Sequence, residues 1–134
     1  MAEVVASGTD QTGIGTTIID VTGATVTFNA IQNRRYRFSA GVNIGSGVAA
    51  TTMMVFLCDG SNNLHRRMAQ LQAVATSGSQ AAEGVWTWLC GTTGSITFKL
   101  RAQAGANTFT VYRGLTEYAP HLLVEDIGPG GNPV

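Results

Sequence analysis

Polar and apolar residues alternate along most of this chain with a period of two. In YRFSAGVNI, Tyr36, Phe38, Ala40, Val42 and Ile44 share one face, and Arg37, Ser39, Gly41 and Asn43 share the other. SITFKLRAQ sets Ile96, Phe98, Leu100 and Ala102 against Thr97, Lys99, Arg101 and Gln103. ATVTFNA sets Val26, Phe28 and Ala30 against Thr25, Thr27 and Asn29. Successive side chains of a strand point to opposite faces, so this spacing predicts half-buried β-strands with the apolar face inward. GTDQTG, VTG, NIGSG, DGSNN, SGSQ, GTTG, AGAN and YAP fall between the runs and carry turn chemistry. The expected fold is all-β: an antiparallel β-sandwich, jelly-roll-like, of about 8–10 short strands. Residues 1–128 are expected to form a single domain, with 1–15 a candidate extended N-terminal arm and 129–134 a C-terminal tail.

Three stretches depart from simple alternation. NNLHRRMAQLQAVA places Leu64, Met68, Leu71 and Val74 at spacings that also suit an amphipathic helix. A strand is expected there, because its neighbours are strands. MMVFLC (residues 53–58) is apolar on both faces, so both faces must be covered. One face meets the core. Few loops of so short a chain could cover the other, so Met53, Met54, Val55, Phe56 and Leu57 are expected at a subunit interface. Trp86 and Trp88 of VWTWLC are assigned to the same interface. The ending PHLLVEDIGPGGNPV joins a strand to a segment with almost no apolar surface. Pro129 has no N–H with which to continue a ladder. The tail after it, including Asn132, Pro133 and Val134, is expected to order only against a partner.

Composition narrows the function. Only 12% of residues are charged, and the formal net charge is zero. A protein that binds nucleic acid through phosphates carries a clear positive excess, so nucleic acid is not an expected partner. Neutral surfaces are poorly protected against self-association, which suits a protein that assembles. No stretch reads as a signal peptide or reaches the roughly 18–20 apolar residues of a membrane span. Cys58 and Cys90 sit in apolar runs without a CxxC and are expected to be buried free thiols.

No catalytic constellation emerges. His65 and His121 lack HExxH spacing or a local acidic partner. Glu125 and Asp126 are adjacent, so in a strand they cannot share one site. DGSNN lacks the spaced ligands of a calcium loop and reads as a hairpin turn. The chain is therefore expected not to be an enzyme, and to use no metal or cofactor. Arg34, Arg35 and Arg37 form the densest basic group. They are either a docking patch for a partner's carboxylates or a solvated strand edge.

The residues also carry a family likeness. Gln11–Ile14 (Q-x-G-I), residues 21–28 (V-T-G-x-x-V-T-F), residues 34–37 (R-R-Y-R), residues 59–61 (D-G-S) and residues 125–129 (E-D-I-G-P) occur in the order and spacing of a module that this chain resembles. That module belongs to structural proteins of tailed phages of actinobacteria. The resemblance implies a non-enzymatic virion component, assembled in the host cytoplasm. It would work as a homo-oligomer, a trimer being favoured. The favoured form is a capsid decoration or minor capsid protein bound to the major capsid protein. The alternative is a minor tail or fibre-tip module, with tail proteins or a host-surface glycan as partner. Candidate docking residues are Arg34, Arg35, Arg37, Pro129, Asn132, Pro133 and Val134.

Overall fold

Alternation becomes ten strands in a computed structural model that describes residues 2–74 and 78–129. They are β1 (Ala2–Val5), β2 (Gln11–Ile14), β3 (Ile19–Ala30), β4 (Arg34–Gly45), β5 (Thr52–Asp59), β6 (Leu64–Gln72), β7 (Gln80–Leu89), β8 (Gly94–Ala104), β9 (Phe109–Val111) and β10 (His121–Pro129). All pair antiparallel. Residues 2–14, read from sequence as a candidate arm, form β1 and β2 within a sheet. β10 runs through Pro129, which lies opposite Arg34 at the end of the ladder.

The pairing is nested. β1 pairs β10, β2 pairs β9, β3 pairs β8, β4 pairs β7, and β5 pairs β6. The chain is thus one long hairpin with its apex between β5 and β6. Folding that hairpin over itself adds the β10–β4, β4–β9 and β5–β8 pairs. A larger sheet then contains β1-β10-β4-β9-β2, with β7 on the other side of β4, and a smaller sheet has the order β3-β8-β5-β6. Two packed sheets wound this way make a jelly roll, as the alternation predicts.

The inward faces meet in an aromatic seam. Phe38 of the larger sheet and Phe98 of the smaller one lie 4.5 Å apart between ring centroids. Phe28 packs on Tyr36 at 5.1 Å, and Trp88 stands edge-on to Phe98 at 5.2 Å. Each such ring buries large apolar area and adds about 0.5–1.5 kcal/mol of pair geometry. Cys58 and Cys90 are buried free thiols, and burial pushes the Cys58 pKa up.

Alternation fails at two informative places. The 64–72 stretch is a strand, but its register passes over His65 and Met68. These bulges reset the parity of β6, which is why its apolar spacing imitates a helix. The bulged backbone crosses β7 at Gly84, where a Cβ would lie 2.2 Å from the Met68 carbonyl oxygen. VTG, read as a turn, is instead an irregularity inside β3, between Asp20 and Thr25. There the Gln11 side chain replaces the missing ladder. Its Nε2 donates to the Asp20 carbonyl at 2.9 Å, and its Oε1 accepts from the Thr22 amide at 2.9 Å.

The apex is the DGSNN turn. Asp59 Oδ1 accepts the amides of Ser61 and Asn63, and Oδ2 accepts from Asn63 Nδ2 and contacts His65 Nε2 at 3.1 Å. Partial burial pushes the Asp59 pKa up. The bonds from His65, Asn63 and Ser61 more than offset this and leave it at about 2. A depressed carboxyl pKa contributes stability above the ordinary value near 3.8, which is lost as pH falls towards about 2. Unfolding free energy should therefore drop more steeply between pH 4 and 2 in the native chain than in Asp59→Asn. Parallel pH profiles from urea melts would show that the turn is not titrating. Gly84→Ala should lower stability by about 2 kcal/mol through overpacking against the β6 backbone. A change within about 0.5 kcal/mol in the same melts would refute the crossing.

Candidate functional site

The sequence places two kinds of candidate here, subunit contacts and docking residues, and the fold sorts them. Met53, Val55 and Leu57 point into the core and are essentially inaccessible. They are not subunit contacts, because they lie in the buried core between the two sheets, with β8 and β6 pairing β5 on either side. The opposite face of β5 is covered by the chain's own long side chains. Phe56 lies between Arg101 of β8 and Arg67 of β6, with the Arg67 guanidinium 5.8 Å from its ring centroid. Lys99 and Arg101 lie flat over this face because Asp20 takes both, at 2.9 and 2.8 Å. Their aliphatic stems shield apolar surface while Asp20 takes the charges. Met54 alone of the five keeps partial exposure beside Gln103 and Gln70.

Trp86 and Trp88 are half-buried and turn inward. Trp86 packs on Phe38 and on His65, at 6.1 and 5.8 Å, and Trp88 packs on Tyr36, Phe38 and Phe98. Their inward faces close the edge of the sandwich beside β6. The exposed face of β7 carries Val85 and Leu89.

The arginine group is largely satisfied within the chain. Arg34 Nε donates to Asp126 at 2.7 Å and holds its carboxyl below the usual range. Arg37 donates to Glu125 through Nε and Nη2, at 3.3 and 3.1 Å. The adjacent acids of β10 thus serve separate arginines, so Arg34 and Arg37 are committed to their own sheet rather than to a partner's carboxylates. Arg35 has no ion-pair partner among the described residues. Pro129 is exposed at the end of β10, and Asn132, Pro133 and Val134 lie outside the described residues.

The N-terminal segment is bound by a group the sequence reading missed. Arg113 is buried, and its guanidinium donates to the carbonyls of Ala6, Thr9 and Ser7 at 2.8, 3.1 and 3.2 Å. Asp10 Oδ1 in turn accepts from the amides of Arg113 and Gly114. A lone arginine after a short strand carries no local signal of this role, because its three acceptors lie over a hundred residues earlier.

One concavity opens on the outer face of the larger sheet. It holds about 210 Å³ and is floored by Gly41, Val42 and Asn43, with Glu83, Glu117, Tyr118 and His121 around it. Asn43 Nδ2 donates to the Tyr118 carbonyl at 3.1 Å and holds residues 117–119 beside the pocket. The His121 ring lies on Gly41, where a Cβ would come within 2.2 Å of it. Among the described residues, no group of three His, Cys, Asp or Glu side chains could hold a metal ion. No buried side-chain nitrogen or oxygen among them lacks a hydrogen-bond partner.

No protein-family model and no curated protein matches the chain. Solved structures do match. In the structure of infectious bursal disease virus, Gx strain, one chain aligns over 98% of this protein with a TM-score of 0.56 and 10% identity. The VP2 protein of that virus in T=1 particles aligns over 92% with a TM-score of 0.52 and 9% identity. This chain spans only about a third of those proteins, 32% and 35% of their lengths. At such identity the likeness is one of fold: the β-sandwich of virus-particle proteins.

Replacing Arg113 by Ala should cost about 3 kcal/mol, since three carbonyls lose a charged donor. Lysine should recover less than half, because one ammonium cannot span the three acceptors. A loss under about 1 kcal/mol in urea unfolding would mean that the N-terminal segment is held by other contacts.

Proposed function

We propose that the chain is a non-enzymatic structural component of a bacteriophage virion. Its role is that of a capsid decoration or minor capsid protein, which binds the outer head surface as an oligomer and reinforces it. The observation that carries this reading is the jelly roll itself, which superposes on a virus-particle protein over 98% of the chain. The phage assignment rests on the ordered motifs from Gln11 to Pro129. Their physical coupling supports it: Gln11 of the first motif completes the ladder of the VTG motif, and R-R-Y-R pairs its arginines with the closing E-D.

The mechanism needs no chemistry at a reaction centre. A protein that binds only the assembled lattice stabilises that lattice by mass action, by RT ln(1 + [L]/Kd). Its own requirement is a rigid body that offers fixed surfaces. The wound sandwich and the Arg113 clasp supply that rigidity.

Copy number is the test. A decoration protein should appear in purified virions at a ratio to the major capsid protein set by the symmetric shell. Quantitative mass spectrometry would measure it. A ratio below roughly one in fifty would place the chain on the tail and overturn the head assignment.

A further inference from the structure

The outer face of the larger sheet carries a pattern the chain does not satisfy by itself. The row Glu3–Leu123–Ser39–Val85 crosses β1, β10, β4 and β7 at right angles to the strands. Val85 is 63% exposed and Leu123 is half-buried, with the small Ser39 between them. To one side of this row along β4 and β7 lie Arg37 and Arg35 with Thr87 and Leu89. To the other side lie Gly41 and Asn43, the floor of the pocket, with Glu83 and Glu117 at its wall. Neither glutamate has an ion-pair partner among the described residues. Glu125 of β10 neutralises Arg37 on this face, so the charges left unpaired among the described residues are Arg35 at one end and Glu83 and Glu117 at the other, with the apolar row between them.

We propose that this face pairs with the same face of a second copy about a two-fold axis lying along the Leu123–Ser39–Val85 row. That rotation runs β4 over β4 in the opposite direction. Val85 meets its own counterpart on the axis, and so does Leu123. Arg35, which has no ion-pair partner among the described residues, comes over Asn43 of the pocket floor, towards Glu83 and Glu117. A two-fold contact is made twice, so each charge complementarity is duplicated. Sheets packed face to face stand about 10 Å apart, a gap that side chains of this size fill.

Charge selects this arrangement over its rival. Rotating the copy about an axis parallel to the strands would keep like ends together, with arginine over arginine and glutamate over glutamate. Such juxtapositions suppress the wrong register. Glu3, at the end of the axial row, sits on the edge strand, where water and salt screen it. The pairing is a property of the isolated chain. It goes beyond the virion reading, and it holds or fails whatever surface the assembly binds.

A residue on a two-fold axis can cross-link to itself. Val85→Cys should form a covalent dimer under mild oxidation about tenfold faster than Thr87→Cys, which is exposed one row off the axis. The native thiols are buried and should stay silent in both. In sedimentation equilibrium the native chain should reach a dimer mass. Glu83→Lys should weaken the dimer about tenfold, and adding Arg35→Glu to the same chain should restore it. Restoration also shows that neither change has damaged the fold. Equal cross-linking of the two cysteine variants, a monomer or trimer mass, or further weakening in the double variant would each overturn the two-fold pairing.

Discussion

Every strand of this protein depends on antiparallel hydrogen bonding to a partner fixed by its distance from one turn. The apex at residues 59–63 sets β5 against β6, and each earlier strand then finds its partner equally far along the returning chain. Buried backbone donors and acceptors must be paired, so a slip in one ladder would leave its partner unsatisfied as well. The structure is reinforced where the ladders falter. Gln11 lends its amide to β3 where that strand leaves register. Two bulges turn β6 across the open edge of the other sheet, and Gly84 gives it room. Arg113 ties the first ten residues to the loop after β9, closing the outer turns of the winding.

Much of this was legible in the residues. Alternation in β4 and β8 named the buried face correctly from Tyr36 to Ile44 and from Phe98 to Ala102. DGSNN was read as a hairpin turn, and the two cysteines as buried thiols. What stayed hidden involves partners distant in sequence. The apolar face of β5 looked like an interface because nothing nearby in the chain could cover it. Its cover comes from Lys99, Arg101 and Arg67, charged residues whose stems are apolar. The tryptophans looked available because a strand pattern does not say which face turns inward at a sandwich edge. The arginine group looked unpaired because its acids lie about ninety residues later.

The surfaces left over differ from those the sequence suggested. The smaller sheet is closed on its outer side by its own ion pairs around Asp20. The larger sheet is the open one, with Val85, Leu89 and an acidic pocket beside β4. A low overall charge leaves little to keep such faces apart. A wound sandwich with one closed and one open outer face is suited to static assembly, in which buried area and fixed geometry do the work.

Imaging purified virions with and without the chain tests the proposed virion role most directly. Density of jelly-roll size should appear on the head in symmetric copies when the chain is present and vanish when it is absent, with the shell otherwise intact. Unchanged heads, or a difference confined to the tail tip, would contradict it.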